Sequence, residues 1–255
     1  MILKDKTAIV TGAAGGIGRA IVRCFAEHGA NVWACDKDES DDFNSYCADI
    51  SERFHVMIEP LYFDLAEAAP LGGDGSIDEN IKKIRASKIP IDILVNNAGV
   101  DGGNYGFQMV SIEDIEQIMR INFSGTMRIT QKVLRLMIRH KRGSVINVSS
   151  ISALYGEPAH VGYAASKGAM IAATKKLASE YGRFGIRVNA VAPGITNTVM
   201  RERIPEELQK KIISQTILGR IAEPEDIANV IAFLGSDMSA FITGEVIPVH
   251  GGLQY

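Results

Sequence analysis

The stretch Thr7-Ala8-Ile9-Val10-Thr11-Gly12-Ala13-Ala14-Gly15-Gly16-Ile17-Gly18 decides how the rest of the chain is read. Thr7–Val10 is a short apolar run of the kind that forms a buried strand. It passes directly into a turn carrying Gly12, Gly15, Gly16 and Gly18, and the turn passes into a helical pattern from about Ile17 to His28. Glycines permit a tight turn and let backbone N–H groups approach a phosphate. The helix N-terminus adds unpaired donors and a favourable dipole. Glycine spacing alone is a weak signal, but its place between a first strand and a helix points to a dinucleotide site.

Outward from this turn, Asn31–Cys35 reads as a second strand ending at Asp36. A carboxylate about 20 residues beyond the glycines accepts hydrogen bonds from the adenosine ribose hydroxyls and repels a 2′-phosphate. NAD is therefore the expected cofactor, with NADP less favoured. Lys37 complicates this, because a neighbouring cation softens the repulsion, although an exposed surface charge is its simpler reading. Further strands are expected at Leu61–Phe63, Ile91–Val95, Ser144–Val148, Arg187–Val191 and Val246–Val249. Helical patterns lie at Ser111–Ile121, Ser124–Arg139, Tyr163–Tyr181 and Pro224–Leu234. Strands alternating with helices predict an α/β fold, a doubly wound parallel sheet with helices on both faces. With no repeat or dividing linker, residues 1–255 read as a single domain. Ala66–Asn80, with Pro70, Gly72, Gly73 and Gly75, reads as an exposed loop, better explained as a tolerated insertion than as a functional segment.

The composition excludes several classes. Of 255 residues, 46% are apolar and 22% charged, which disfavours disorder and fibrous repeats. A net charge of −3 without blocks of like charge removes the usual handle for nucleic acid or an acidic membrane. Cys24, Cys35 and Cys47 have no C-x-x-C spacing, which disfavours disulfides and zinc and suits a reducing cytoplasm. The five histidines show no metal-ligand spacing, and no metal is expected. The opening Met1–Lys6 has no signal-peptide core, and no apolar run spans a bilayer. The expected location is cytoplasmic.

At this point the chain resembles the short-chain dehydrogenase/reductase family. Its T-G-x-x-x-G-x-G pattern is matched at Thr11, Gly12, Gly16 and Gly18. N-N-A-G is matched at Asn96-Asn97-Ala98-Gly99, and Y-x-x-x-K at Tyr163 and Lys167 with Ser150 upstream. Pro193-Gly194 follows the sixth strand, as the family's P-G motif does. The resemblance runs from end to end, in the family's order. It implies a Rossmann-type sheet of seven parallel strands, a catalytic tetrad of Asn122, Ser150, Tyr163 and Lys167, and a homotetramer. It further implies dinucleotide contacts from Ile17, Asp64, Leu65, Asn97, Ala98, Gly99, Tyr163, Lys167, Pro193, Gly194, Ile195 and Thr198. Among subgroups it is most similar to 3-oxoacyl-thioester reductases and to sugar or polyol dehydrogenases.

The chemistry such residues support is hydride transfer coupled to proton transfer. Tyr163 and Lys167 fall on one face of a helix. A free phenol, with pKa about 10, is a sluggish base, and a nearby ammonium favours its phenolate. Tyr163 then serves as general acid or base on a secondary alcohol or ketone, with Ser150 holding the reacting oxygen. The alternative is a non-catalytic dinucleotide-binding sensor or scaffold on the same fold. Residues 195–219 occupy the place of the family's substrate lid. Tyr155, His160 and Met200 are candidate substrate contacts, and Asp101–Tyr105 could rim the pocket.

Overall fold

The computed structural model describes residues 1–67, 75–103, 105–156, 159–199 and 206–254. Seven strands form one sheet: β1 (Thr7–Thr11), β2 (Asn31–Asp36), β3 (Ile58–Tyr62), β4 (Ile93–Asn96), β5 (Gly143–Val148), β6 (Ile186–Pro193) and β7 (Val246–Val249). All pairings are parallel, in the order β3-β2-β1-β4-β5-β6-β7. The order reverses between β1 and β4, and that reversal opens a crevice beyond the carboxyl ends of the strands.

Among the described residues, eight α-helices flank the sheet: α1 (Gly16–Glu27), α2 (Asp41–Phe54), α3 (Ser76–Ala86), α4 (Ile112–Met119), α5 (Thr126–His140), α6 (Val161–Tyr181), α7 (Glu206–Gln215) and α8 (Pro224–Gly235). Alternate strand residues enter opposite cores, as the two-residue side-chain period requires. Ala8, Val10, Val32 and Ala34 pack with α1, α2 and α8. Ile9, Trp33, Leu94 and Val145 pack with α3, α5 and α6. Fully buried side chains such as Phe25, Ile21, Leu94 and Ile129 contribute about 1.5–3 kcal/mol each. Among the described residues, no helix is long and apolar enough to cross a membrane.

The sequence expectations are met for all seven strands, with shifted ends. β3 runs Ile58–Tyr62 rather than Leu61–Phe63, because Glu59 and Pro60 hide its start. Proline is tolerated there on an edge strand. The chain between β2 and β3, given no helix by pattern, forms α2. Its buried Phe43, Cys47 and Ile50 recur at helical spacing under a polar surface, and Ser40 caps its start by accepting from Phe43 N. Ala66–Asn80 is not a loop throughout, since Ser76–Asn80 begin α3, whose Ile77 and Ile84 are buried. Pro70, Gly72 and Gly73 lie outside the described residues. The two helices expected around Asn122 are joined by a π-helical turn, Arg120–Gly125.

Candidate active site

The glycine-rich turn is shaped by close approach. Gly12 has φ +64°, and a Cβ there would stand 2.7 Å from Ala98 Cα. A Cβ on Gly18 would lie 2.0 Å from Gly12 O, and one on Gly16 would lie 2.7 Å from Thr198 Cγ2. The first turn of α1 carries no acidic residue, and its N-cap, Gly15, offers no side chain. That leaves the helix dipole uncompensated by protein side chains at the place where an anion would sit. A cradle that a Cβ would fill, under such a helix end, fits dinucleotide phosphates.

Thr11 ties this turn to the motif after β4. Its hydroxyl donates to Val95 O (3.3 Å) and accepts from Asn97 N and Ala98 N, both at 3.1 Å. Asn97 Nδ2 donates to Thr11 O (3.1 Å) and Gly12 O (3.0 Å). At the end of β2, Asp36 accepts from Ala14 N and Lys37 N, each at 2.8 Å. Asp64, exposed beyond β3, accepts from Ala66 N (2.8 Å), and Leu65 beside it is buried. Ile17 is half-buried in the first turn of α1.

The four tetrad residues converge from three elements. Ser150 follows β5 and caps a 3₁₀ turn by accepting from Ser152 N (3.2 Å). Tyr163 and Lys167 sit in the first turns of α6, four residues apart on one face of the helix. Lys167 Nζ donates to Val148 O at 2.8 Å and stands 5.6 Å from the Tyr163 ring centroid. Burial lowers the Lys167 pKa to about 8. Tyr163 is raised above the ordinary phenol value. Burial is the largest cause, the Ser150 hydroxyl works against it, and the nearby Asp101 charge adds to it. This departs from the expected lowering by Lys167, because desolvation of a phenolate dominates.

Asn122 lies in the π turn, a distortion often found at functional sites. Its Oδ1 accepts from Val100 N (2.8 Å), and its Nδ2 donates to Val100 O (2.8 Å) and Ser166 Oγ (3.0 Å). A Cβ on Gly99 would come within 3.2 Å of both Asn122 Oδ1 and Lys167 Nζ, so only glycine leaves them room.

Pro193 and Gly194 end β6, where Gly194 N donates to Val249 O (2.9 Å). Thr196 is bridged to Ala222, which fastens the start of the 195–219 segment to the body. Of that segment, α7 is described, whereas Met200 and Ile204 lie outside the described residues, as does Asn104 on the expected rim. His160 precedes α6 with φ +55°, next to Ala159 at +68°, and its ring centroid is 6.4 Å from that of Tyr163. Two successive non-glycine residues in the left-handed region store strain beside the site. Tyr155 packs edge-on against His250, centroids 6.1 Å apart.

His250 is the residue that sequence reasoning missed, since a lone histidine far along the chain carries no spacing signal. Its Nδ1 accepts from Leu253 N (2.8 Å), which puts the neutral ring's proton on Nε2. With Ile195, Ile212, Leu218, Val249 and Leu253 it lines a cavity of about 180 Å³. Ser166 was missed as well. Its hydroxyl, fully buried, donates to Tyr163 O (2.7 Å) while accepting from Asn122.

A parallel seven-stranded sheet with a glycine turn at its reversal defines the class, a doubly wound nucleotide-binding α/β protein. Comparison with known proteins narrows it. A family model described as enoyl-(acyl carrier protein) reductase matches residues 12–254. The chain is 38% identical over 253 residues to the 3-oxoacyl-[acyl-carrier-protein] reductase FabG of Thermotoga maritima, covering 99% of each. It is 38% identical over 256 residues to a 3alpha-hydroxysteroid dehydrogenase of Mediterraneibacter gnavus, covering 100% of this chain and 99% of that one. Among solved structures, an NAD(P)-dependent gluconate 5-dehydrogenase from Beutenbergia cavernae, with NADP at low occupancy, superposes with TM-score 0.88 at 31% identity, covering 98% and 97% of the two chains. A 3-oxoacyl-[acyl-carrier protein] reductase from Brucella melitensis with bound NAD gives 0.86 at 30%, covering 99% and 94%. The chain belongs to the short-chain dehydrogenase/reductase family and is an oxidoreductase of that family, whose cofactor is a nicotinamide dinucleotide.

Proposed function

We propose that this protein is an NAD(H)-dependent oxidoreductase that interconverts a secondary alcohol and a ketone. The observation that carries the reading is the placement of the buried Lys167 ammonium, which donates to Val148 O two residues before Ser150 and stands 5.6 Å from the Tyr163 ring centroid. In this reading Ser150 holds the reacting oxygen. Tyr163, a phenol protonated at neutral pH, gives that oxygen a proton in ketone reduction. The phenolate that remains is stabilised by Lys167, and the reverse transfer serves alcohol oxidation. The nicotinamide, when bound, supplies or accepts the hydride. Asn122, locked on Val100 and Ser166, holds α4 and α5 in register with α6 beneath the site.

Gly12, Gly16, Ile17 and Gly18 would hold the phosphates, Asp36 the adenosine ribose, and Asp64 and Leu65 the adenine. Asn97, Ala98, Gly99, Pro193, Gly194, Ile195 and Thr198 would flank the rest, with Tyr163 and Lys167 at the nicotinamide ribose. NAD over NADP rests on the Asp36 carboxylate at the end of β2. A 3-oxoacyl thioester or a sugar or polyol is the substrate class, in keeping with the names of its relatives, and Tyr155 and His160 are the residues we expect to touch it. Three buried free cysteines accord with a cytoplasmic site, and a homotetramer is the expected assembly.

The test follows nicotinamide absorbance with NADH and NADPH in parallel, against a 3-oxoacyl thioester, small ketones, ketosteroids and ketosugars. NADH-linked turnover is the expected result. NADPH preference would overturn the cofactor choice, and cofactor binding without turnover of any member would remove the substrate reading. Light scattering tests the tetramer.

A further inference from the structure

The C-terminal tail folds back on the segment that leaves α7. Leu218 N donates to Gly251 O (3.0 Å), Gln254 N donates to Gln215 O (3.0 Å), and Thr216 and Leu253 form an antiparallel bridge. Gly251 and Gly252 have φ of +65° and +76°, and they lie flat against that segment. A Cβ on the first would stand 2.8 Å from Thr216 Cγ2, and one on the second 2.9 Å from Ile217 Cδ1. His250 closes the turn that aims the tail this way. Leu253 N donates to its Nδ1 (2.8 Å) and, less closely, to its backbone O (3.3 Å). The same residue is rooted beside the end of β6, since a Cβ on Gly194 would lie 2.8 Å from His250 Cβ. Its ring meets Tyr155, on the loop that follows Ser150, edge-on at 6.1 Å. One side chain therefore touches the loop from Ser150, the end of β6 and the tail that braces α7.

We propose that His250 is a positioning residue for the substrate. Its Nδ1 latches the tail, and the latched tail holds the end of α7 at the spacing that binds a ketone productively. This role rests on the oxidoreductase reading above. The last residues of a chain are poorly ordered unless something ties them down. Here the tie is the acceptor on the neutral ring, and the backbone bonds to Gln215 and Leu218 depend on the turn it closes. Without that acceptor the tail opens locally more often, and the wall formed by Ile212, Leu218 and Leu253 around the cavity loses its brace. Substrate must then order the wall as it binds, which raises KM. The tetrad and the glycine turn keep their own hydrogen bonds, so the chemical step is left nearly as it was.

The experiment compares the wild type with His250→Phe, which keeps a ring against Tyr155 but has no acceptor, and with His250→Asn, which loses the ring but keeps an acceptor at the same bond distance from the backbone as Nδ1. Hydrogen exchange of peptides spanning 214–220 and 250–255 reads the latch without any substrate. KM and kcat come from NADH-linked reduction of the panel ketone with the highest kcat/KM, acetoacetyl-coenzyme A standing for the 3-oxoacyl thioesters. In His250→Phe we expect exchange in both peptides to quicken by about fivefold to tenfold, as loss of one hydrogen bond allows, and KM to rise by a similar factor. Its kcat should stay within about twofold, the pattern of lost binding rather than lost chemistry. His250→Asn should restore exchange and KM to within about twofold of the wild type, since the acceptor returns. Unchanged exchange in His250→Phe overturns the latch. Quickened exchange with an unchanged KM, or a fall in kcat alone, overturns the positioning role. A His250→Asn variant as impaired as His250→Phe assigns the effect to the ring or Nε2 and overturns the latch as well. A wild type that binds NADH but reduces no ketone of the panel overturns the oxidoreductase reading, and this role with it, whatever the exchange shows.

Discussion

Lys167 Nζ lies 2.8 Å from Val148 O, so the ammonium from α6 is tied to the last residue of β5, just before the loop that carries Ser150. One hydrogen bond therefore fixes helix against strand beside Ser150 and Tyr163. It also leaves a cation in a buried place, which has a consequence for stability.

Burial holds the Lys167 pKa down at about 8, against an ordinary value of 10.5. Between these values the unfolded chain binds more protons than the native one, so stability rises with pH through this window and is lost as pH falls toward 8. The whole span is worth about 3 kcal/mol. Tyr163, raised by burial, acts in the opposite sense above its ordinary value of 10, so the window for measurement is pH 8 to 10. Urea unfolding of the wild type should gain stability relative to Lys167→Met as pH rises across it. Parallel pH profiles for the two proteins would mean that the lysine is not buried as described.

Tyr163→Phe keeps the ring against which Lys167 rests but removes the hydroxyl proposed to carry the proton. Turnover should fall by about a thousandfold, within the usual range for loss of a general acid. Dinucleotide affinity should stay within about threefold, as the phosphate cradle is untouched. Stopped-flow turnover and equilibrium titration of the same preparation check both halves, and near-normal turnover would remove Tyr163 from its role.

Gly18→Ala places a Cβ 2.0 Å from Gly12 O and 2.8 Å from Ala13 Cα, contacts that require the turn to move. We expect a loss of about 2–3 kcal/mol in urea unfolding, together with weakened dinucleotide binding. Gly168→Ala is the control. Inside α6 its Cβ would meet nothing within 4 Å, and the change should stabilise by about 0.5–1 kcal/mol through helix propensity.

Much of this architecture is legible in the residues themselves. The run into Gly12–Gly18 announces β1, the turn and α1 together, because strand period, glycine chemistry and helix period change over within a few positions. Asn97 follows a strand and Tyr163 opens a helix that periodicity locates, while the resemblance, through its motifs, marks them and Lys167. Other features are invisible to pattern. α2 hides because only three of its residues, Phe43, Cys47 and Ile50, are buried, in a segment rich in acidic and polar side chains. The π turn around Asn122 adds one residue to a helix and so looks like a break between two. The direction of the Tyr163 shift depends on how far the phenol is buried, which no spacing records. His250 comes near Tyr155 only because β7 lies beside β6.

Asn147 is fully buried and spans two layers. Its Oδ1 accepts from Asn96 Nδ2 (2.8 Å), which also donates to Thr130 of α5, and its Nδ2 donates to Thr174 Oγ1 of α6 (2.8 Å). Asn147→Ala should cost about 2–4 kcal/mol, from two lost bonds and the space left behind. Combined with Thr174→Val, the loss should fall short of the sum of the single changes, since both remove the same contact. Strict additivity in denaturant unfolding would show that the two side chains are not coupled.

Thr11 gives the crevice a property that no ligand has to supply. A single hydroxyl oxygen spans the seam where the strand order turns back, fastening the strand before the glycine turn to the first two amides of the segment opposite. The gap between the two halves is thus fixed when the protein folds. A dinucleotide entering it meets walls already at their final spacing, and the entropy of ordering them does not count against its affinity. Valine, equal in shape but lacking the oxygen, would leave the volume unchanged and let the seam breathe, so tight binding would be lost through motion rather than through any missing contact with the ligand.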